Sequence, residues 1–230
     1  MILLTLCSLL LLFLLVYGIQ APQLGFYWDG WMFLRRWEVG GFLNLHRYFS
    51  GERPLASVGF ALNHLVNSDC RVCWHVYTVM IRFLSVTIIC VSALFWIKNQ
   101  TVRLIGFYAS VIFVVYPAYL MNPTVIAVEH LPVGFLLFSI SLSLMLISES
   151  STRRWSHQGG WLLSGLLIPF YIGYEQQLGY EPLRLALLGW WIFQQDGWRG
   201  LVKRWYRWLF FPLITVGYLY FQIGILKNSK

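Results

Sequence analysis

Charge is what this sequence has least of. Only 11% of its 230 residues are charged, 9 acidic against 17 basic, while 58% are hydrophobic and 18% aromatic, at a mean hydropathy of +0.63. A soluble globular domain carries about 25% charged residues. Less than half that density cannot coat a water-facing surface, which excludes a soluble enzyme, a nucleic-acid-binding domain and a disordered tail. The chain also lacks a Walker phosphate loop, a Gly-x-Ser-x-Gly elbow and a Gly-rich dinucleotide fingerprint, so the common soluble nucleotide and hydrolase chemistries have no foothold. Internal repeats and low-complexity segments are missing too. Cysteine is scarce, four in all. Cys7 and Cys90 fall in apolar runs. Cys70-Arg-Val-Cys73 is a single CxxC, short of the ligands a zinc site wants; a disulfide on an oxidising face is its other use.

Long apolar runs are what the sequence has in abundance. A bilayer-crossing helix needs about 20 such residues, and seven segments approach that length: 2–20, 74–97, 104–121, 124–147, 161–177, 179–194 and 208–226. The expectation is an all-α, polytopic transmembrane bundle, a single membrane domain over 1–230. The first run is nearly all leucine. It lacks a basic leader, and Ile19-Gln20-Ala21 is a poor small-x-small cleavage site, so an uncleaved anchor is expected. The stretch spanning the fifth and sixth runs holds Glu175, Glu181 and Arg184 at its middle. Three charges at bilayer centre are costly. Two short helices meeting at a polar turn fit them best, with a re-entrant element as the alternative.

The placement of the basic residues orients these spans. With a cytoplasmic N-terminus the inner loops are 98–103, 148–160 and 195–207, and they hold eight Lys/Arg: Lys98, Arg103, Arg153, Arg154, Arg199, Lys203, Arg204 and Arg207. Only Glu149 and Asp196 oppose them. The outer link Asn122-Pro123 has none, in keeping with the positive-inside rule. Much of the net +8 therefore reports topology. Arg82, inside the second span, needs a buried partner or a polar cavity.

The long outer loop, 21–73, is too aromatic to be solvated and too long to be a linker. Trp31, Phe33, Leu34 and Trp37 recur at helical spacing around Arg35 and Arg36, which describes an amphipathic helix in the headgroup region. Gly40-Gly41 ends it. A second helix is expected from Pro54, a good first-turn residue. Asp29 stands alone among aromatics in Phe26-Tyr27-Trp28-Asp29-Gly30-Trp31 and reads two ways: an N-cap for the interfacial helix, or a carboxylate at the membrane surface available as general base or metal ligand. Gly51-Glu52-Arg53-Pro54-Leu55 reads as a turn and helix start, or as a turn whose Arg53 guanidinium clamps a phosphate.

An N-terminal span, an acid just beyond it, an interfacial helix, then a basic-Pro-Leu turn and a second helix leading into the next span resembles the GT-C glycosyltransferases. The likeness is to the branch of protein O-mannosyltransferases and lipid A aminoarabinose transferases, and it covers roughly residues 1–150. It implies a polyprenyl-phosphate-linked sugar donor reached from the bilayer, an extracytoplasmic acceptor, and no nucleic acid. It makes Asp29 the catalytic acid position and Arg53-Pro54-Leu55 the counterpart of the family's Lys-Pro-Pro-Leu-type turn. The acid is single here and the turn's second proline is missing, which leaves a divalent metal requirement open. Glu129 matches the family's acidic position at the start of the fourth span. Members are usually longer, so a short or truncated member is implied, in a bacterial plasma membrane with the long loop outside.

Other ionisable groups fall on the same outer side. Glu129-His130 lies between Pro123 and Pro132 and reads as donor-binding or as a pair satisfying broken-helix backbone groups. Arg184 reads as a lipid-phosphate ligand or as an i,i+3 partner of Glu181. With Asp29, Arg53 and Glu175 they would converge on one outer cavity. Two competing classes stand beside the enzyme: a non-catalytic membrane protein binding lipid-linked saccharide or serving an assembly, and a small transporter relaying through Arg82, Glu129 and His130, which no repeat symmetry supports.

Overall fold

In the computed structural model the described residues are 29–50, 56–68, 70–96, 130–150, 154–172 and 178–226, with 14–19 and isolated positions at 7, 8, 10–12, 104 and 108. They are helical throughout, and no strand occurs among them. The helices are α1 (Asp29–Phe49), α2 (Ala56–Asn67), α3 (Arg71–Trp96), α4 (His130–Ser150), α5 (Arg154–Leu166), α6 (Ile168–Tyr171), α7 (Tyr180–Lys203) and α8 (Trp205–Tyr220). Stretches Leu14–Gly18 and Phe221–Leu226 are π-helical.

Among the described residues, two stretches are long and apolar enough to cross a bilayer: Val72–Ser92 in α3 and Pro132–Glu149 in α4. The sequence suggests seven, and the shortfall has physical reasons. The runs at 104–121 and most of 2–20 lie outside the described residues. The fifth run is divided at Leu167 into helices of 13 and 4 residues, α8 has 16, and α7 carries Glu181 and Arg184 in its first turns. Two expected inner loops are also largely helix. The 148–160 loop is helical from Arg154, and 195–207 holds the end of α7 and the start of α8, broken at Gly197 with φ 60° and ψ −158° and again at Arg204. The first of these conformations is open to glycine and almost nothing else, so two single-residue breaks stand where a loop was expected.

Serine lets the bundle close up. Ser85, Ser92 and Ser139 each donate their hydroxyl to the carbonyl four residues back, which hides a polar group inside its own helix and leaves a small surface for a neighbour. Ser92 of α3 meets Ser143 of α4 at 2.6 Å. Gly189 of α7 lies under the Trp208 indole of α8, so close that a Cβ would fall 2.1 Å from Cη2. Around these contacts Phe138, Met145, Ile168, Leu188, Ile192 and Phe211 form the main apolar core.

The segment between Asp29 and Trp74 builds a second core. Gly41, at φ 57° and ψ −154°, breaks α1 where the sequence expected its helix to end. A further helical stretch follows, and the chain doubles back. Phe33 then meets Phe49 at 5.2 Å, the Arg36 guanidinium lies 4.3 Å over Tyr48, and Asn44 donates to the Arg36 carbonyl. Phe60 of α2 and Trp74 of α3 complete the cluster with Leu34 and Leu45. His46 and Ser57 join α1 to α2 at 2.8 Å, and the Trp74 indole donates to the Ser68 carbonyl. A disulfide links Cys70 to Cys73 where α3 begins.

Candidate functional site

The chemistry of the bundle concentrates where α4 and α5 run antiparallel. Ser141 donates to the Ser164 carbonyl at 2.6 Å, and Ser164 returns the bond to the Ser141 carbonyl at 2.7 Å. Each hydroxyl proton is committed to backbone, which leaves both oxygens as acceptors. Into that notch α7 sends Arg184. Its Nη1 donates to Ser164 Oγ and its Nη2 to Ser141 Oγ, both at 2.8 Å; Nη2 also donates to the Tyr171 hydroxyl at 2.6 Å, and Nε to Glu181 Oε1 at 3.1 Å. Four of the five N–H groups of a guanidinium are thus bonded to protein.

The surroundings explain why the charge is tolerated. Arg184 has no exposed surface, and Glu181 is buried beside it. The Tyr171 hydroxyl donates to Glu181 Oε1 while it accepts from Arg184. Phe211 and Phe138 present ring faces 4.6 and 5.6 Å from the guanidinium carbon, which adds cation–π attraction in a desolvated setting. Glu181 Oε2 is the one member of the cluster without a hydrogen-bond partner. Ser141 lies eight residues before Glu149 at the far end of α4, about 12 Å at helical rise, so the pair sits well inside the bundle. Removing one partner of such a pair strands the other charge and costs about 3–5 kcal/mol. The cluster is therefore a rivet joining α4, α5, α6 and α7.

A second arginine pair stands at the other end of the same helices. Glu149 Oε2 accepts from Arg207 Nη1 at 2.5 Å, and its Oε1 accepts from the Trp161 indole at 2.8 Å, with His157 Nε2 at 3.9 Å. The carboxylate is 1% exposed and the arginine side chain 15%. Arg207 also lies 5.8 Å from the rings of Trp161 and Tyr206. Arg207 borders a cavity of about 450 Å³ lined also by His157, Gln158, Trp161, Leu162, Tyr206 and Phe210.

The residues singled out in the sequence fare unequally. Arg184 has the Glu181 partner that the i,i+3 spacing offered, together with three further protein acceptors. Arg82 is buried on α3. Asp29 and His130 are the first residues of α1 and α4, and their side chains lie outside the described residues, as do Arg53, Glu129 and Glu175 altogether. No group of three or more potential metal ligands occurs among the described residues. Sequence reasoning missed Ser141, Ser164 and Tyr171, since isolated hydroxyls in apolar runs carry no pattern. It also passed over the Glu149–Arg207 pair. The signal was there: Glu149 is the one acid opposing the basic residues of 148–160. Against protein family models, curated proteins and solved structures, the chain gives no match.

Proposed function

We propose that the chain is a multi-pass membrane glycosyltransferase of GT-C-like type. It moves a sugar from a polyprenyl-phosphate-linked donor to an acceptor outside the cytoplasm. One observation supports the reading: the doubled-back α1 and the helix α2 pack around an apolar, largely aromatic core that they share with Trp74 of α3, within the loop where the resemblance puts the catalytic acid.

Three features support the membrane topology behind this reading. α3 and α4 have the length and apolarity to cross a bilayer. The basic segments 148–160 and 195–207, both read as inner, meet through Glu149 and Arg207. The Cys70–Cys73 disulfide belongs at an oxidising face, which agrees with an outer loop 21–73 in a plasma membrane. The seven-span bundle, N-terminus inside, is part of the proposal.

In this reading Asp29 takes the acceptor hydroxyl proton, the freed oxygen attacks the sugar C1, and the C1–O bond to the lipid phosphate breaks. Arg53 stabilises the departing phosphate, with Glu129, His130 and Glu175 on the donor side; preorganised charge at the leaving group is the main source of rate acceleration in such a site. The bonding of Arg184 to four protein groups favours a role in fixing the helices over direct contact with phosphate. Arg82 belongs to the bundle interior. A divalent metal is left to experiment.

The test uses membranes holding the full chain, supplied with an undecaprenyl-phosphate-linked sugar. Asp29→Asn is expected to lower transfer by about a hundredfold or more, the scale of general-base catalysis, with expression and insertion unchanged. Retained transfer would end the assignment of Asp29 as base. The closed Arg184–Glu181 pair also suits a second reading, a non-catalytic protein that binds lipid-linked saccharide. Binding of undecaprenyl phosphate without turnover by the unaltered chain would favour it.

A further inference from the structure

We infer that the inner elbow between α7 and α8 holds an anionic phospholipid, its phosphate at Arg199 and Lys203 and one acyl chain along Leu162 and Phe210. The inference rests on the chain being a membrane protein with 195–207 inside, and does not depend on the glycosyltransferase reading.

After the break at Gly197 the chain presents apolar and aromatic side chains outward. Trp198 and Val202 are each 75% exposed, and Trp205 and Tyr206 more than half. Trp and Tyr in that density belong at the level of lipid headgroups. Cations share the stretch. Arg204 is neutralised by Asp196 at 2.5 Å and Arg207 by Glu149, whereas Arg199 and Lys203 form no ion pair among the described residues. The elbow therefore keeps two uncompensated positive charges.

Two cavities flank Tyr206, and their linings differ. One, of about 520 Å³, is bordered by Arg199, Lys203 and the Arg204–Asp196 pair, so its lining carries a net positive charge. The other, of about 450 Å³, has the apolar walls Trp161, Leu162 and Phe210 beside Arg207. A charged chamber next to an apolar one suits an amphiphile with a negative head; a soluble anion would make no use of the second. Arg207 lines the apolar chamber with its Nη1 held by Glu149, so the phosphate is assigned to the unpaired Arg199 and Lys203 across Tyr206. The leaflet on this side is the one that carries anionic lipid, so the charge of the elbow and the charge of its surroundings are complementary.

The experiment places the purified full chain in nanodiscs of phosphatidylcholine doped with phosphatidylglycerol and compares the immobilised fractions of spin-labelled phosphatidylglycerol and phosphatidylcholine. The unaltered chain should favour phosphatidylglycerol, and the double variant R199Q/K203Q should lower that preference about fivefold or more, the scale for losing surface cations at an anionic leaflet. Leu162→Trp fills the apolar chamber without touching a charge, and is expected to release the immobilised chain signal while the protein stays folded. Equal immobilisation of the two lipids by the unaltered chain, or a preference untouched by both variants, would overturn the inference. Failure of the chain to enter nanodiscs would overturn the membrane reading itself, a result separable from incorporation without lipid preference.

Discussion

Two arginine–glutamate pairs hold this bundle, and they are opposites. Arg184–Glu181 is enclosed, with its hydrogen bonds spent on Ser141, Ser164, Tyr171 and each other. Arg207–Glu149 has the same ion types and the same aromatic company, yet its arginine borders a cavity. Each pair keeps one unpartnered atom, Glu181 Oε2 in the first and Arg207 Nε in the second, so what separates them is the cavity beside Arg207. A buried ion pair is thus not by itself a functional sign.

The comparison breaks most severely at the enclosed pair. Arg184→Gln leaves Glu181 charged and stranded, and should cost about 3–5 kcal/mol, read as a loss of thermal stability of the purified chain in detergent. Ser141→Ala removes one acceptor from the guanidinium and one donor from the Ser164 carbonyl. Hydrogen bonds to a charged group are worth about 1.5–3 kcal/mol, and the same measurement should show a loss in that range. Arg207→Gln is expected to be the mildest, about 1–2 kcal/mol, because Trp161 and His157 still face Glu149 and the cavity admits water. Equal losses for Arg184→Gln and Arg207→Gln would erase the distinction between the two pairs.

Local chemistry was the legible part. Gly40-Gly41 announced the break in α1, the proline of the Arg53-Pro54-Leu55 turn announced a helix close to where α2 begins, and the i,i+3 spacing announced Glu181 with Arg184. What could not be read depends on partners distant in the chain. Ser141 and Ser164 become guanidinium ligands only because α4 and α5 run side by side, 23 residues apart in sequence. The length of α7 was hidden for another reason. Gln194, Gln195 and Asp196 look like the start of a loop, but the helix continues through them and turns at a single glycine. The basic residues there speak to orientation in the sequence, while the surface they build depends on that turn. The acidic and basic groups on which the outer site depends are single residues in short motifs, and nothing in their spacing specifies what they meet.

The reciprocal serine bonds between α4 and α5 bear on the order of assembly. On the proposed seven-span topology Arg184 enters a bilayer and needs acceptors already in position, and the notch that supplies two of them is complete once α4 and α5 have paired. Synthesis delivers that hairpin before α7 exists. On the proposed topology the sequence order thus offers Arg184 a prepared seat on arrival, and a chain in which α7 preceded the hairpin would hold the same charge in lipid with Glu181 as its one acidic partner.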